Sequence, residues 1–252
     1  MEGSLVPIAA AASDATTLMC SSRDPIGRPF RPTVEAEILP GLVRAALLRA
    51  HRARRIIVVP EFRGPYGVAD VAILETTDER VAARLALGIP PLLNQLDAAI
   101  VSVLHVHRPT SGAVVARELG CQERHLAARL TCLIRAGGIF RLAAGTYVRS
   151  EGLVPLGHVS VYEAKVDDWR RGFDQAATYA TWADEATLAL GRLPRDSGGV
   201  LDAAVRHQLG LMVDGVWRRD PVHQRLPPRT RLWTSEHLLA ALAGLYQASP
   251  VM

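Results

Sequence analysis

Three side chains that could catalyse hydrolysis lie in two short segments of the sequence. Asp70 stands in the middle of GVADVAIL, and Glu163 and Lys165 stand two residues apart in VYEAKV. Both segments have the apolar, alternating pattern of strands. Successive side chains point to opposite faces of a strand, so Glu163 and Lys165 share one face. Carboxylate oxygens bind Mg²⁺, and a nearby ammonium can orient or deprotonate a water, so these residues predict metal-assisted cleavage of a phosphodiester.

The lysine in this set is unusual within its own sequence. The chain has 29 lysine and arginine residues, and Lys165 is the only lysine among them. A GC-rich genome explains the excess of arginine, because most arginine codons are GC-rich and lysine codons are not. Arginine replaces lysine on most solvated surfaces, but not where a compact, titratable ammonium is needed. Lys165 is therefore a candidate functional residue, and chance retention is the alternative.

These motifs resemble the PD-(D/E)XK, or restriction-endonuclease-like, nuclease superfamily. The segments that carry the resemblance are Gly67–Asp70, Tyr162–Lys165, Trp169 and Gln175–Tyr179. The resemblance implies an α/β fold in which helices flank a mixed sheet of four or five strands. It also implies an acidic residue on the second strand, the E-x-K motif on the third and often a glutamine on the helix that follows. The sequence departs from the family pattern before Asp70, where Val68-Ala69 stands in place of a proline.

The resemblance assigns a role to each residue of this candidate site. Asp70, Glu163 and the Ala164 carbonyl would hold Mg²⁺ or Mn²⁺. Lys165 would position or activate the attacking water, and Gln175 would position the lysine or a backbone phosphate. Together these five residues are the predicted catalytic centre.

Three further glutamates could support the metal. The family often uses a glutamate from the first helix, and Glu35 and Glu37 are the candidates for that role. Glu61, at the end of the first predicted strand, could also face the metal. The alternatives are an acidic helix start that the helix dipole favours for Glu35 and Glu37, and an ordinary turn carboxylate for Glu61.

A long insertion separates the two halves of the candidate site. The two acidic residues of the motif are 93 positions apart, which is far more than the family's usual gap. Removing residues 79–156, where the composition changes, leaves a nuclease-like core of residues 33–78 and 157–252 with about the usual spacing. Residues 1–32 have no apolar periodicity, so we predict a disordered N-terminal arm there.

The insertion has the order of elements of a winged helix-turn-helix, with helix, helix, turn, helix and a two-stranded ribbon. Between His105 and Arg149 there are seven arginines and two acidic residues, and this positive excess favours contact with phosphates. The second helix of such a motif enters the major groove, where glutamine and arginine bind base edges. The candidate DNA-contacting residues are Gln122, Arg124, His125, Arg129 and Arg141. Contact with another protein is the alternative role.

Composition limits the class of protein. The chain has 252 residues, 49% of them apolar, and a net charge of +4, which is typical of a globular protein and permits nucleic acid as a partner. Uncharged apolar runs are too short for a membrane span. Three cysteines without framework spacing suit a reducing compartment. We therefore expect a cytoplasmic, nucleoid-associated bacterial protein.

The sequence as a whole predicts a Mg²⁺-dependent DNA endonuclease that an inserted winged helix directs to its substrate. Double-stranded DNA is the expected substrate, and a homodimer would supply the two sites that double-strand cutting needs. Two alternatives stay open. One is a non-catalytic DNA-binding transcriptional regulator built on a nuclease-like scaffold, and the other is an interaction subunit of a DNA repair or defence complex.

Overall fold

The computed structural model describes residues 5–8, 16–20, 34–50, 55–195 and 197–248. In chain order its strands and helices are β1 (Leu5–Ile8), β2 (Thr16–Cys20), α1 (Leu39–Arg49), β3 (Arg55–Arg63), β4 (Val68–Thr76), α2 (Asp78–Ala86), α3 (Gln95–Val103), β5 (Thr110–Ser111), α4 (Gly112–Leu119), α5 (Glu123–Arg135), β6 (Ile139–Arg141), β7 (Thr146–Arg149), β8 (His158–Lys165), α6 (Trp169–Tyr179), β9 (Glu185–Leu190), α7 (Ser197–Arg206), β10 (Gly210–Val213), β11 (Val216–Arg219) and α8 (Pro228–Ala248). Short 3-10 turns lie at Glu35–Glu37 and Ala143–Gly145. Within these described residues, no helix combines the length and the apolar character that crossing a membrane requires.

The chain forms two compact units, each assembled from separate stretches of sequence. The first unit contains residues 1–77 and 157–225, and the second contains residues 78–156 and 226–252. The sequence pattern predicts that the whole of residues 157–252 belongs to the core. In the structure α8 belongs instead to the second unit, because its apolar side chains complete the core there.

A mixed sheet forms the centre of the first unit. Six strands pair in the order β3-β4-β8-β9-β10-β11. β4 is antiparallel to both β3 and β8, β9 is parallel to both β8 and β10, and β11 returns antiparallel to β10. Helices α1, α6 and α7 belong to the same unit. The predicted α/β class, with a mixed sheet flanked by helices, is thus confirmed.

The structure differs from the predicted N-terminal arm at two short segments. β1 and β2 pair antiparallel with each other, and β2 extends the sheet by pairing parallel to β3. The sequence gives little sign of these strands, because each has only four or five residues and small residues separate them. The rest of the predicted arm lies outside the described residues.

Strands β8 and β9 and the helix between them position the candidate site. Every residue of β9, and every residue of β8 after His158, is buried. Parallel strands require a crossover connection, and α6 supplies it. The Asp168 side chain caps α6 by accepting a hydrogen bond from the Arg171 N–H at 3.3 Å. The buried face of α6 lies against β8 and consists of Gly172, Phe173, Ala176 and Tyr179.

The second unit combines helices with a small antiparallel sheet in the order β5-β7-β6. The Ser111 hydroxyl caps α4 by accepting from the Val114 N–H at 3.3 Å. Gly120 ends α4 in the left-handed conformation, with φ of 66°, which a glycine adopts without strain. The apolar face of α5 then closes on the other helices through Leu126, Leu130 and Leu133.

Helix α8 is held to the second unit by polar contacts as well as by its apolar face. The Trp233 indole donates to the Leu93 carbonyl at 2.8 Å. The helix begins at Pro228, and the Ser235 hydroxyl is buried within it, where it accepts from the Leu156 N–H at 2.9 Å.

A fully buried ion pair joins α2 to α8. Arg84 is 1% exposed and Glu236 is 0% exposed. The guanidinium donates from Nε to Oε1 at 2.9 Å and from Nη2 to Oε2 at 2.7 Å. Its Nη1 donates to the Ile89 carbonyl at 2.9 Å, and Glu236 also accepts from the Leu92 N–H at 2.8 Å. The pair therefore satisfies the polar atoms that its burial removes from water.

Candidate active site

The pairing of β4 with β8 places Asp70 beside the E-x-K motif. Val71 pairs with Tyr162, so the next position along each strand sets Asp70 opposite Glu163. The Asp70 Oδ2 atom accepts a hydrogen bond from the Ala164 N–H at 2.6 Å. The strands thereby bring together two carboxylates that lie 93 positions apart in the sequence.

The Lys165 ammonium is surrounded by three oxygen atoms, which we call the oxygen cradle. Its Nζ atom lies 2.7 Å from Glu163 Oε1 and 2.9 Å from Glu35 Oε1. It also donates to the Ala164 carbonyl at 3.0 Å. An ammonium has three protons, so the cradle matches its full hydrogen-bonding capacity.

The protonation state of Lys165 follows from these contacts. Burial lowers the pKa of the ammonium, but the hydrogen bonds to Glu163 and Glu35 outweigh burial, and the pKa is raised. Lys165 therefore carries a proton at neutral pH in this arrangement. This favours a positioning role for Lys165 over the alternative role of deprotonating a water.

The surroundings of Asp70 and Glu163 disfavour the ionised form of both carboxyl groups. Burial raises the pKa of Asp70, and the Glu35 and Glu61 carboxylates raise it further, against the opposing Ala164 N–H and the Lys165 charge. Burial likewise raises the pKa of Glu163, and Asp70 adds to the effect. A cation that bound here would relieve both charges, which is the electrostatic pattern expected of a functional site.

The three supporting glutamates have different positions. Glu35 reaches the site directly through its contact with Lys165, although its side chain is 46% exposed. Glu61 is an exposed residue in β3, with a φ of 46° that is rare for a residue with a Cβ. It lies between two residues that pair with the neighbours of Asp70. The Glu37 carboxylate accepts from the Val34 N–H at 3.5 Å and so caps its own turn.

Two side chains of α6 complete the site. The Tyr179 hydroxyl lies 2.9 Å from Glu163 Oε2 and 2.6 Å from the Val68 carbonyl. The Gln175 side chain hydrogen-bonds to Tyr179, while its Oε1 atom is buried with no hydrogen-bond partner among the described residues. Gln175 is a predicted site residue, whereas sequence reasoning gave no role to Tyr179. A tyrosine one helical turn after Gln175 was the available signal.

Removing the Tyr179 hydroxyl should destabilise the protein. In the Tyr179→Phe variant, the buried Glu163 carboxylate and the Val68 carbonyl lose the one hydroxyl proton that faces them both, which costs about 1–3 kcal/mol in the free energy of unfolding. Urea unfolding measures this loss, and Tyr66→Phe, which alters an exposed tyrosine, is the matched control. Equal stability of the two variants would contradict the described contacts.

Gly172 leaves the space that the Lys165 stem occupies. A Cβ at position 172 would lie 2.6 Å from Lys165 Cγ and 2.7 Å from Leu188 Cδ1. Gly172→Ala should therefore lower the free energy of unfolding by about 1–3 kcal/mol, although alanine is the better helix former.

Gly198, also in a helix, is the control for this substitution. A Cβ there meets no atom within 4 Å, so Gly198→Ala should be neutral or stabilising by up to about 1 kcal/mol. Thermal unfolding of both variants tests the prediction, and a neutral Gly172→Ala would show that α6 does not pack closely on β8.

The donor set of the site fits a hard divalent cation. Mg²⁺ and Mn²⁺ prefer carboxylate and carbonyl oxygens, and Asp70, Glu163 and the Ala164 carbonyl offer them. Asp70 Oδ2 is occupied by the Ala164 N–H, which leaves Oδ1 for a ligand. The oxygen cradle already surrounds one positive charge, that of Lys165.

The predicted DNA-contacting residues lie in the second unit. Gln122, Arg124 and His125 are exposed at the N-terminal end of α5, and Arg141 is exposed on β6. Arg129 differs, because its guanidinium forms a two-point ion pair with Asp97 of α3, with Nε 2.7 Å from Oδ1. This pair holds Arg129 against its own unit.

Comparison with known proteins identifies no relative of this chain. No protein-family model matches the chain, and no curated protein or solved structure matches it significantly.

Proposed function

We propose that the chain is a Mg²⁺-dependent DNA endonuclease with a restriction-endonuclease-like core. The observation that carries the proposal is the meeting of Asp70, Glu163 and Lys165, with the lysine held in the oxygen cradle. The buried Glu163 and the half-buried Asp70, whose pKa values are both raised, lie beside a protonated lysine and suit a reaction in which negative charge develops on a phosphate.

The order of the central strands supports the same assignment. Counting from β3, Asp70 lies on the second strand of the six-stranded sheet, and the E-x-K motif lies on the third. Gln175 lies on α6, the helix that follows the third strand. These positions correspond to those that the resemblance to the nuclease superfamily implies.

Each residue would contribute a distinct task. Asp70, Glu163 and the Ala164 carbonyl would hold the metal, which when bound would stabilise negative charge on the phosphate. Lys165, which is protonated, would hold a water or a phosphate oxygen by hydrogen bonds that replace those to the cradle oxygens that ligate the metal. The buried Gln175 Oε1 atom, which has no hydrogen-bond partner among the described residues, would accept a hydrogen bond from that water. The Tyr179 hydroxyl would fix the orientation of the Glu163 carboxylate.

The second unit would deliver the core to DNA. Its elements follow the order α3, β5, α4, α5, β6, β7, which supports the proposed winged helix. Gln122, Arg124 and His125 are exposed at the start of α5, where a recognition helix contacts bases. Arg141 on β6 would contact a flanking phosphate.

Cleavage of plasmid DNA and of short duplex, forked and single-stranded DNA tests the proposal. Wild type is compared with Asp70→Ala and Lys165→Ala in Mg²⁺, Mn²⁺ or a chelator. We expect metal-dependent cleavage that both substitutions abolish, while sedimentation shows whether two copies assemble on a duplex. Cleavage that survives Lys165→Ala would overturn the mechanism.

The exposed start of α5 favours a second candidate function, a DNA-binding regulator without catalysis. This function predicts sequence-specific binding in the absence of metal and no effect of Asp70→Asn. Binding to a random-sequence duplex library, followed by sequencing of the bound DNA, distinguishes the two. An enriched site together with no cleavage in any metal would favour the regulator.

A further inference from the structure

A second group of potential metal ligands lies at the other end of the central strands. His158 is the first residue of β8, Asp184 directly precedes β9, and His223 follows β11. Each offers one ligand atom, and these atoms all lie within 4.8 Å of one another. β8 and β9 run parallel, and Ser160 pairs with Glu185, so the starts of both strands meet at one edge of the sheet.

The three residues are held in place by contacts of their own. The Asp184 Oδ2 atom accepts from the Val159 N–H at 2.9 Å, which fixes the carboxylate at the start of β8. The Gln224 N–H donates to the Asp184 carbonyl at 2.8 Å, which fixes the segment that carries His223. The His158 and His223 rings stack at 5.3 Å between centroids, with 22° between their planes.

The Glu185 carboxylate lies beside the His158 ring. This carboxylate is buried and accepts a hydrogen bond from Arg49 Nη2 at 3.0 Å. Its Oε2 atom lies 3.7 Å from His158 Nε2. With its proton on Nε2, the ring would offer the Nδ1 lone pair to an ion on the side of Asp184. A carboxylate behind a ligating histidine is the common outer support of a protein metal site.

The spacing between the ligand atoms suits an ion between them. His158 Nδ1 lies 3.9 Å from Asp184 Oδ2, which is too long for a hydrogen bond. Zinc binds imidazole nitrogen at about 2.0–2.1 Å and carboxylate oxygen at about 2.0–2.2 Å, so two ligand atoms of a tetrahedral ion lie roughly 3.3–3.5 Å apart. Binding would draw His158 Nδ1 and Asp184 Oδ2 together by roughly 0.5 Å.

We propose that His158, Asp184 and His223 bind a divalent transition metal, of which zinc is the best match. Two imidazoles and one carboxylate suit zinc, whereas Mg²⁺ prefers oxygen ligands alone. The fourth coordination position would hold a water. The ion would join the segment after β11 to the starts of β8 and β9.

This zinc site is separate from the candidate active site. His158 and Lys165 are the first and last residues of β8, and seven residues of strand span roughly 23 Å. The zinc proposal therefore stands whether or not the chain cleaves DNA.

Zinc titration of the full-length protein by calorimetry, after removal of metals with a chelator, tests the site. An Asp70→Asn background keeps the candidate Mg²⁺ site from contributing. We expect one zinc per chain and a rise in the thermal unfolding midpoint. His223→Ala should weaken binding by at least about tenfold, and His107→Ala, which alters an exposed histidine of the second unit, should not.

His223 is exposed, so its substitution should leave the metal-free fold intact, which the unfolding midpoint in chelator verifies. Cobalt in place of zinc should give the strong visible absorption of a four-coordinate ion, and this signal should vanish in His223→Ala. No zinc binding by the parent protein would overturn the proposal. Binding that His223→Ala leaves unchanged would overturn it too, because the ion would then lie elsewhere.

Discussion

Lys165→Met should lower the rate of metal-dependent DNA cleavage by about 10²–10⁴-fold and at the same time tighten the binding of Mn²⁺. The ammonium shares Glu163 Oε1 with the proposed metal and also occupies Glu35 Oε1. Without it, both oxygens become available to the ion, while the group that holds the water is lost. Single-turnover cleavage and Mn²⁺ titration by electron paramagnetic resonance measure the two effects.

Asp70→Asn should change the affinity for Mn²⁺ in the opposite direction to Lys165→Met. It removes a ligand, so cleavage falls by a similar factor and Mn²⁺ binding weakens. Asp174→Asn, on the exposed face of α6, removes the same charge outside the site and should change neither. Weaker Mn²⁺ binding in Lys165→Met would show that the lysine does not compete with the metal for the oxygen cradle.

Arg84→Met should lower the free energy of unfolding by about 3–5 kcal/mol, because it leaves the Glu236 carboxylate buried without its partner. Methionine fills much of the volume of the arginine stem, so the loss of stability comes from the unpaired Glu236 charge rather than from a cavity. Urea unfolding followed by far-ultraviolet circular dichroism measures it.

Two further variants identify the cause of that loss. Arg117→Met breaks an exposed pair with Glu118, whose side chains are 72% and 53% exposed, and should change stability by less than about 0.5 kcal/mol. The double variant Arg84→Met, Glu236→Leu should recover part of the stability, since no buried charge remains. A loss below about 1 kcal/mol in Arg84→Met would contradict the buried pair.

The part of the site that could be predicted from the sequence is the part that depends on the alternation of side chains along a strand. Alternation along a strand predicts that Glu163 and Lys165 share a face, and one register then sets Asp70 opposite Glu163. The choice among Glu35, Glu37 and Glu61 depends on the direction of a turn and on a left-handed residue, which no periodicity encodes.

Contacts between distant segments were the features that sequence reasoning could not supply. Tyr179 reaches Glu163 only because α6 crosses β8 at Gly172, and the angle of that crossing depends on packing. The apolar pattern of α8 predicts a helix but not the unit that it covers. The β8–β9 edge joins His158 to His223 across 65 positions in the sequence, with a spacing that matches no metal motif.

The second unit combines residues 78–156 with residues 226–252, so its two parts are synthesised at different times. Arg84 leaves the ribosome 152 residues before Glu236, which at typical elongation rates is roughly 8–30 s. Throughout that interval the nascent helices α2 to α5 lack the α8 side chains that complete their core. A chain stalled before α8 is therefore expected to be a substrate for chaperones and proteases in its second unit, although all the strands of the first unit have by then been synthesised.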